Sequence, residues 1–227
     1  SILALRATAA DHTSVLVRHL LDPDEDFAIR RRLVSVLGDL PETGAIDGLV
    51  GALDDQRFEV RYRAGRALKR LIERAPSLTI DRERVTAVIL REVTVERSVW
   101  KSRQLLDTAD DDLAASVADV LRERAARSLE HVFALLSLVL PRATIQLAFQ
   151  ALHTENPYLR GTALEYLETV LPEGIRQRLW PFLETDESRP PQTNRSPEAA
   201  LRELLASRQS IVLALDAAGR RASGPLS

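Results

Sequence analysis

The chain is 227 residues long, 45% hydrophobic and 28% charged, enough for a sizeable core and for helices with one wet face. Aromatics are only 4%, so that core is built of Leu, Ala, Val and Ile. The formal net charge of −2 argues against a dedicated nucleic-acid binder, which carries a basic surplus, and the absence of cysteine excludes disulfides and thiolate metal sites.

The sequence begins at Ser1 and holds no methionine, so it reads as a processed or excised piece of a longer chain. No secretory signal opens it, and a cytoplasmic location fits. The longest apolar run, residues 132–140, is interrupted by Ser137 and falls far short of a membrane span.

Residues 2–10 read as the tail of an earlier helix. Residues 12–21 and 26–40 form the first helix pair. The acidic turn between them, Asp22-Pro23-Asp24-Glu25-Asp26, caps the second helix, because free N–H groups and the dipole at a helix start favour negative charge. A calcium loop would need a glycine and a distal glutamate that this turn lacks. Pro41 ends that helix and opens the next. Residues 43–53 and 57–75 make the second pair, and its second helix is strongly basic: Arg57, Arg61, Arg63, Arg66, Lys69, Arg70 and Arg74. With Arg30, Arg31 and Arg32 these residues can line a stripe across adjacent helices.

Pro76 breaks the pattern. Asp81 is the expected N-cap of a long helix to residue 106, with Val85, Val88, Ile89, Val95 and Val99 apolar. Residues 107–112 form an acidic turn, and a second long helix runs from there to about residue 140. The two read as a long antiparallel hairpin over 81–140, with a kink near Ala125-Ala126 as the alternative. Trp100, Lys101 and Arg103 fall near its tip, and Trp and Arg are enriched at binding hot spots. Residues 142–152 and 158–171 form another pair. A short helix over 173–183 follows, with Trp180 and Phe182 expected to cover the core. Residues 184–197 are a polar, proline-rich loop. Residues 198–227 are a partial repeat, helical over 198–206 and 211–218, with a frayed tail.

One frame recurs. At Ile29-Arg30, Val60-Arg61 and Leu159-Arg160, small or apolar residues stand 3, 7 and 10 positions after the arginine: Leu33, Leu37 and Leu40; Ala64, Leu68 and Leu71; Ala163, Leu167 and Val170. Such spacing lies on one helix face. The first two arginines are 31 residues apart and the next spacing is 99, room for about three similar units. Paired helices at this period are the mark of an α-solenoid.

The pattern resembles HEAT repeats, in particular the short repeats of the phycobilisome-lyase type, over residues 20–75 and 142–183. The matching residues are Leu53-Asp54-Asp55 before Val60-Arg61, followed by Ala64, Ala67 and Leu68. The resemblance implies structural roles for the repeat arginines Arg30, Arg61 and Arg160, paired with Asp22, with Asp54 or Asp55, and with Glu155. Residues 127–172 also look like the soluble HEAT region of bacterial polytopic proteins whose membrane part resembles nucleotide translocases or the major facilitator group.

Nothing in the sequence composes a catalytic site. His12, His19, His131 and His153 form no HxxxH or HExxH pair. Gly44, Gly48 and Gly51 lie within one helix and lack a following Lys-Ser or Lys-Thr. Glu165 and Glu168 are an ordinary exposed acid pair. The expectation is an all-α solenoid spanning residues 1–183, non-catalytic, without cofactor or metal, acting as a scaffold for a protein partner. Its candidate surface is Arg31, Arg63, Arg66 and Arg70, with Trp100, Lys101 and Arg103 secondary. The alternative is a HEAT-like nucleic-acid binder of the DNA-glycosylase type, which the two tryptophans and the arginine stripe favour. The single arginine of residues 158–171 speaks against it.

Overall fold

A computed structural model describes residues 12–95 and 112–183, together with Ala199, Leu201, Arg202 and Leu205; of residues 112–125 it gives the backbone only. Regular structure among the described residues is helical throughout. In order the helices are α1 (Thr13–Leu21), α2 (Phe27–Leu37), α3 (Thr43–Ala52), α4 (Phe58–Arg74), α5 (Arg82–Val95), α6 (Asp112–Val139), α7 (Arg142–Leu152), α8 (Pro157–Val170) and α9 (Glu173–Leu183). The chain divides into two compact units, Ser1–Val139 and Leu140–Ser227.

Local chemistry explains where these helices start. The Asp26 carboxylate accepts from the N–H groups of Ala28 (2.8 Å) and Ile29 (3.3 Å). Asn156 does the same for Tyr158 and Leu159, with Pro157 pre-set for the first turn. Asp81 accepts from the Arg84 N–H at 3.0 Å, as an N-cap should. The rest of the first acidic turn is likewise engaged: Glu25 meets His19 Nδ1 at 2.7 Å, and Asp22 accepts from the Asp24 N–H.

Two boundaries differ from the sequence reading. The second helix ends at Leu37 rather than residue 40, because Gly38, Asp39 and Leu40 fold into a turn. Arg74 holds that turn, donating to the Gly38 carbonyl and to Asp39. Pro41 therefore precedes the next helix without opening it, and α3 starts at Thr43.

In the first unit, α1 packs on α2 and α3, α2 on α3 and α4, and α3 on α4; α4 then packs on α6, and α5 on α6. The first helix thus lies on the third and the second on the fourth. The fourth helix then packs on α6, which also packs on α5. At 28 residues α6 is about 40 Å long and runs as one helix through Ala125 and Ala126. Residues 96–111, including Trp100, Lys101 and Arg103, lie outside the described residues.

The core follows the recurrent spacing. Leu33, Leu37, Leu40, Ala64, Leu68, Leu71, Ala163 and Leu167 are buried, while Val170 is half-buried. In the second unit α7 packs on α8 and α8 on α9. There Ile175, Leu179 and Leu183 supply the buried stripe of α9. Trp180 and Phe182, expected to cover the core, are only half-buried because they fall beside that stripe, not on it.

The three repeat arginines share one geometry. Each donates to the carbonyl end of its own unit's first helix or the turn after it, and each also reaches one element further on. Arg30 Nε donates to the Leu20 carbonyl at 2.9 Å, and Arg30 Nη2 pairs with Asp55. Arg61 Nη1 donates to the carbonyls of Asp55 (2.9 Å) and Gln56 (3.0 Å); its Nε and Nη2 grip the buried Glu92 carboxylate of α5 at 2.6 and 3.3 Å. Arg160 donates to the carbonyls of Leu152 and Leu183, both at 3.2 Å. The partners implied by the resemblance are thus displaced by one unit: Asp55 serves Arg30, and Glu92 serves Arg61. Asp54 instead accepts from Arg84 and Arg91, a second tie from this turn to α5.

Candidate functional site

The spacing of α4 separates its two faces. Val60, Ala64, Ala67, Leu68 and Leu71 are buried in the core, while Glu59, Arg63, Arg66 and Arg70, spaced by three and four, share another side with the buried Tyr62. On α2, Arg31 and Ser35 are one turn apart and exposed, beside buried Val34. From α6 comes Arg127. Together these nine residues line an open cleft of about 420 Å³ within the first unit, with α4 central and α2 and α6 flanking it.

Its electrostatics are mostly internal. The Glu59 carboxylate accepts from Arg63 Nε at 2.6 Å and from Arg127, bridging two guanidiniums on two helices. Burial pushes the Glu59 carboxyl up, but hydrogen bonds and charge from Arg127 and Arg63 outweigh it and hold the group below its ordinary range. Burial likewise pulls the Arg127 guanidinium down, and the facing Glu59 and Tyr62 reverse that, leaving it raised. Tyr62 donates its hydroxyl proton to Glu130 at 2.6 Å and accepts from Arg66 at 3.2 Å. Burial first, then Glu130, raises the Tyr62 phenol. Arg127 lies 4.6 Å from the centre of the Tyr62 ring and Arg66 lies 5.6 Å from it, so cation–π contact fixes both.

Five guanidiniums therefore face two carboxylates, Glu59 and Glu130. Among the described residues, Arg31 and Arg70 have no carboxylate within ion-pairing distance; Arg31 rests 5.6 Å from the Phe27 ring centre. The lining offers guanidiniums, a phenol, a hydroxyl and one carboxylate, a set suited to holding anionic oxygen.

All four arginines of the expected surface, Arg31, Arg63, Arg66 and Arg70, line this one cleft. The other basic residues of the stripe do other things. Arg61 is buried as a tie between helices, Arg74 holds the Gly38 turn, and Arg57 lies 5.0 Å from the Phe27 ring centre. Sequence reasoning missed Glu59, Tyr62, Ser35 and Arg127. The first two share the helical phase of Arg63 and Arg66, which the spacing alone can reveal. Arg127 arrives from 68 positions beyond Glu59, and no local pattern announces it.

Below the cleft, His131 is fully buried. Phe58 lies edge-on to it at 5.8 Å, and Tyr62 at 6.2 Å. Gly65 packs so close that an added Cβ would stand 2.9 Å from His131 Cε1. This close packing sets how α4 and α6 meet, and so where Arg127 falls.

No group of three or more His, Asp or Glu side chains suited to a metal occurs among the described residues, and none of their helices is long and apolar enough to cross a membrane. No protein-family model, curated protein or solved structure matches the chain.

Proposed function

We propose that this chain is a non-catalytic scaffold: an α-solenoid of HEAT-like helix pairs that holds an acidic segment of a protein partner in the α2–α4–α6 cleft. The stacking of α1 on α3, α2 on α4 and α4 on α6 supports the repeat reading, as does the arginine tie at Arg30, Arg61 and Arg160. The observation that carries the binding site is the convergence of five arginines from three helices, two of them without a carboxylate partner among the described residues. Rigid curved presentation of such a surface is what repeat proteins do well.

A narrower version makes the chain a cytoplasmic regulatory or assembly domain of a larger transporter-like membrane protein. It rests on the resemblance of residues 127–172, and the full reading frame tests it.

Nucleic acid is the second reading, favoured by the arginine surplus itself. Glu59 and Glu130 stand among the arginines, however, where a backbone of successive phosphates would meet them. The test is capture of partners on immobilised wild-type protein and on Arg63→Glu with Arg70→Glu. A polypeptide retained by the wild type and lost by the variant supports the scaffold. Retention unchanged by the charge reversal removes the cleft from the proposal. Oligonucleotide binding with a steep salt dependence, abolished by the same variant, replaces it with the second reading.

A further inference from the structure

The chemistry of the cleft is more specific than basic charge. Every cation lining it is an arginine; Lys69, in the same helix, does not face it. Arginine presents a planar fork that matches two oxygens at once, which a lysine ammonium does not. One carboxylate, that of Glu59, already sits between two forks, so the spacing of Arg63 and Arg127 fits a bridging oxyanion. Five guanidiniums less Glu59 and Glu130 leave about three positive charges: Arg31, Arg70, and one from the Arg63–Arg127 pair that shares Glu59, while Arg66 faces Glu130. A single further carboxylate offers one charge and two oxygens. A phosphate monoester offers close to two charges at neutral pH and three acceptor oxygens. The Ser35 hydroxyl, one turn from Arg31, adds a neutral donor on the same wall. At about 420 Å³ the cleft falls in the usual range of ligand pockets, roughly 300–1,000 Å³, and has room for a phosphorylated side chain with a little of its backbone.

We infer that the cleft between α2, α4 and α6 binds a phosphate monoester carried on a partner polypeptide. This deepens the scaffold reading and rests on it. Glu59 is then the resident anion: it holds Arg63 and Arg127 in place while the site is empty and competes with the incoming phosphate for them. Arg31 and Arg70 supply the free forks.

The experiment uses the full chain and fluorescence anisotropy. The probes are a short labelled peptide library with phosphoserine at its centre and randomised flanks, the same library with serine, and the same library with glutamate. The phosphoserine library is expected to bind at least about tenfold more tightly than either other library. Arg31→Lys with Arg70→Lys, which keeps the charge and removes the forks, is expected to abolish most of that preference, with the thermal melt unchanged at these exposed positions. Glu59→Gln is expected to tighten phosphopeptide binding several-fold; because it also unties α4 from α6, the lysine pair is the variant that decides. Equal binding of phosphoserine and glutamate libraries overturns the inference and leaves the acidic-partner reading standing. Failure of all three libraries, with partner capture indifferent to Arg63→Glu and Arg70→Glu, overturns both. Binding of free O-phosphoserine as tight as that of the library overturns the polypeptide part. Displacement of the library by a single-stranded oligonucleotide, a phosphodiester, at equal or lower concentration overturns the monoester part.

Discussion

Arg61 is where side-chain chemistry carries the most structural consequence. Its guanidinium and the Glu92 carboxylate are both buried, and the pair ties α4 to α5. Arg61→Ala leaves buried Glu92 with only the more distant Arg91, at 3.9 Å, as a counter-ion and is expected to cost about 3 kcal/mol in urea unfolding. Replacing both, Arg61→Met with Glu92→Leu, is expected to cost much less, the remainder reporting the lost bonds to the Asp55 and Gln56 carbonyls. Glu59 gives a pH signature. Its folded-state carboxyl is held below the ordinary value of 4.5, so its contribution is present above that value and is lost as the pH falls through the folded one. Unfolding midpoints measured from about pH 6 down to 3 are expected to fall, with a shallower fall in Glu59→Gln. The role of Arg61 as a tie was legible from its place in the recurrent frame. Its acidic partner was not, because Glu92 lies 31 residues on, in the next unit. A pairing read within one helix–turn–helix reaches for the nearest aspartate.

Helix pairs meet closely where side chains are missing. An added Cβ at Gly48 of α3 would lie 2.4, 3.0 and 3.2 Å from the Cγ2, Cγ1 and Cβ atoms of Val17 in α1. No rotation of a β-branched side chain clears all three. Gly48→Ala is therefore expected to destabilise by about 1–3 kcal/mol, outweighing the roughly 1 kcal/mol that alanine gains over glycine within a helix. Val17→Ala in the same chain is expected to restore most of the loss, and thermal melts of the three variants check it. The helix starts at Asp26 and Asp81 were legible, because these caps act through the next few residues. The end of α2 was not: Leu40 keeps the apolar spacing while Gly38 and Arg74 turn the backbone away. The burial of Ile175, Leu179 and Leu183 ahead of Trp180 and Phe182 shows the same competition, helical phase deciding over side-chain size.

At the scale of the molecule, every residue of the cleft belongs to the unit Ser1–Val139. A chain ending after Val139 is expected to keep the circular dichroism of a helical protein and the same affinity for an acidic partner as the full chain; loss of both in the shortened chain counts against the division. The four arginines of the expected surface were legible as a helical stripe. Their gathering into a cleft was not, since that depends on Arg127 and on how closely Gly65 lets α6 approach. The repeat arginines carry one last implication. On the upstream side each joint is made to main-chain oxygen, at Leu20, at Asp55 and Gln56, and at Leu152. Carbonyls are alike whatever residue bears them, so these bonds ask nothing of the side chain at those positions. Burial constrains Leu20 and Leu152 instead, and the pair with Arg30 constrains Asp55.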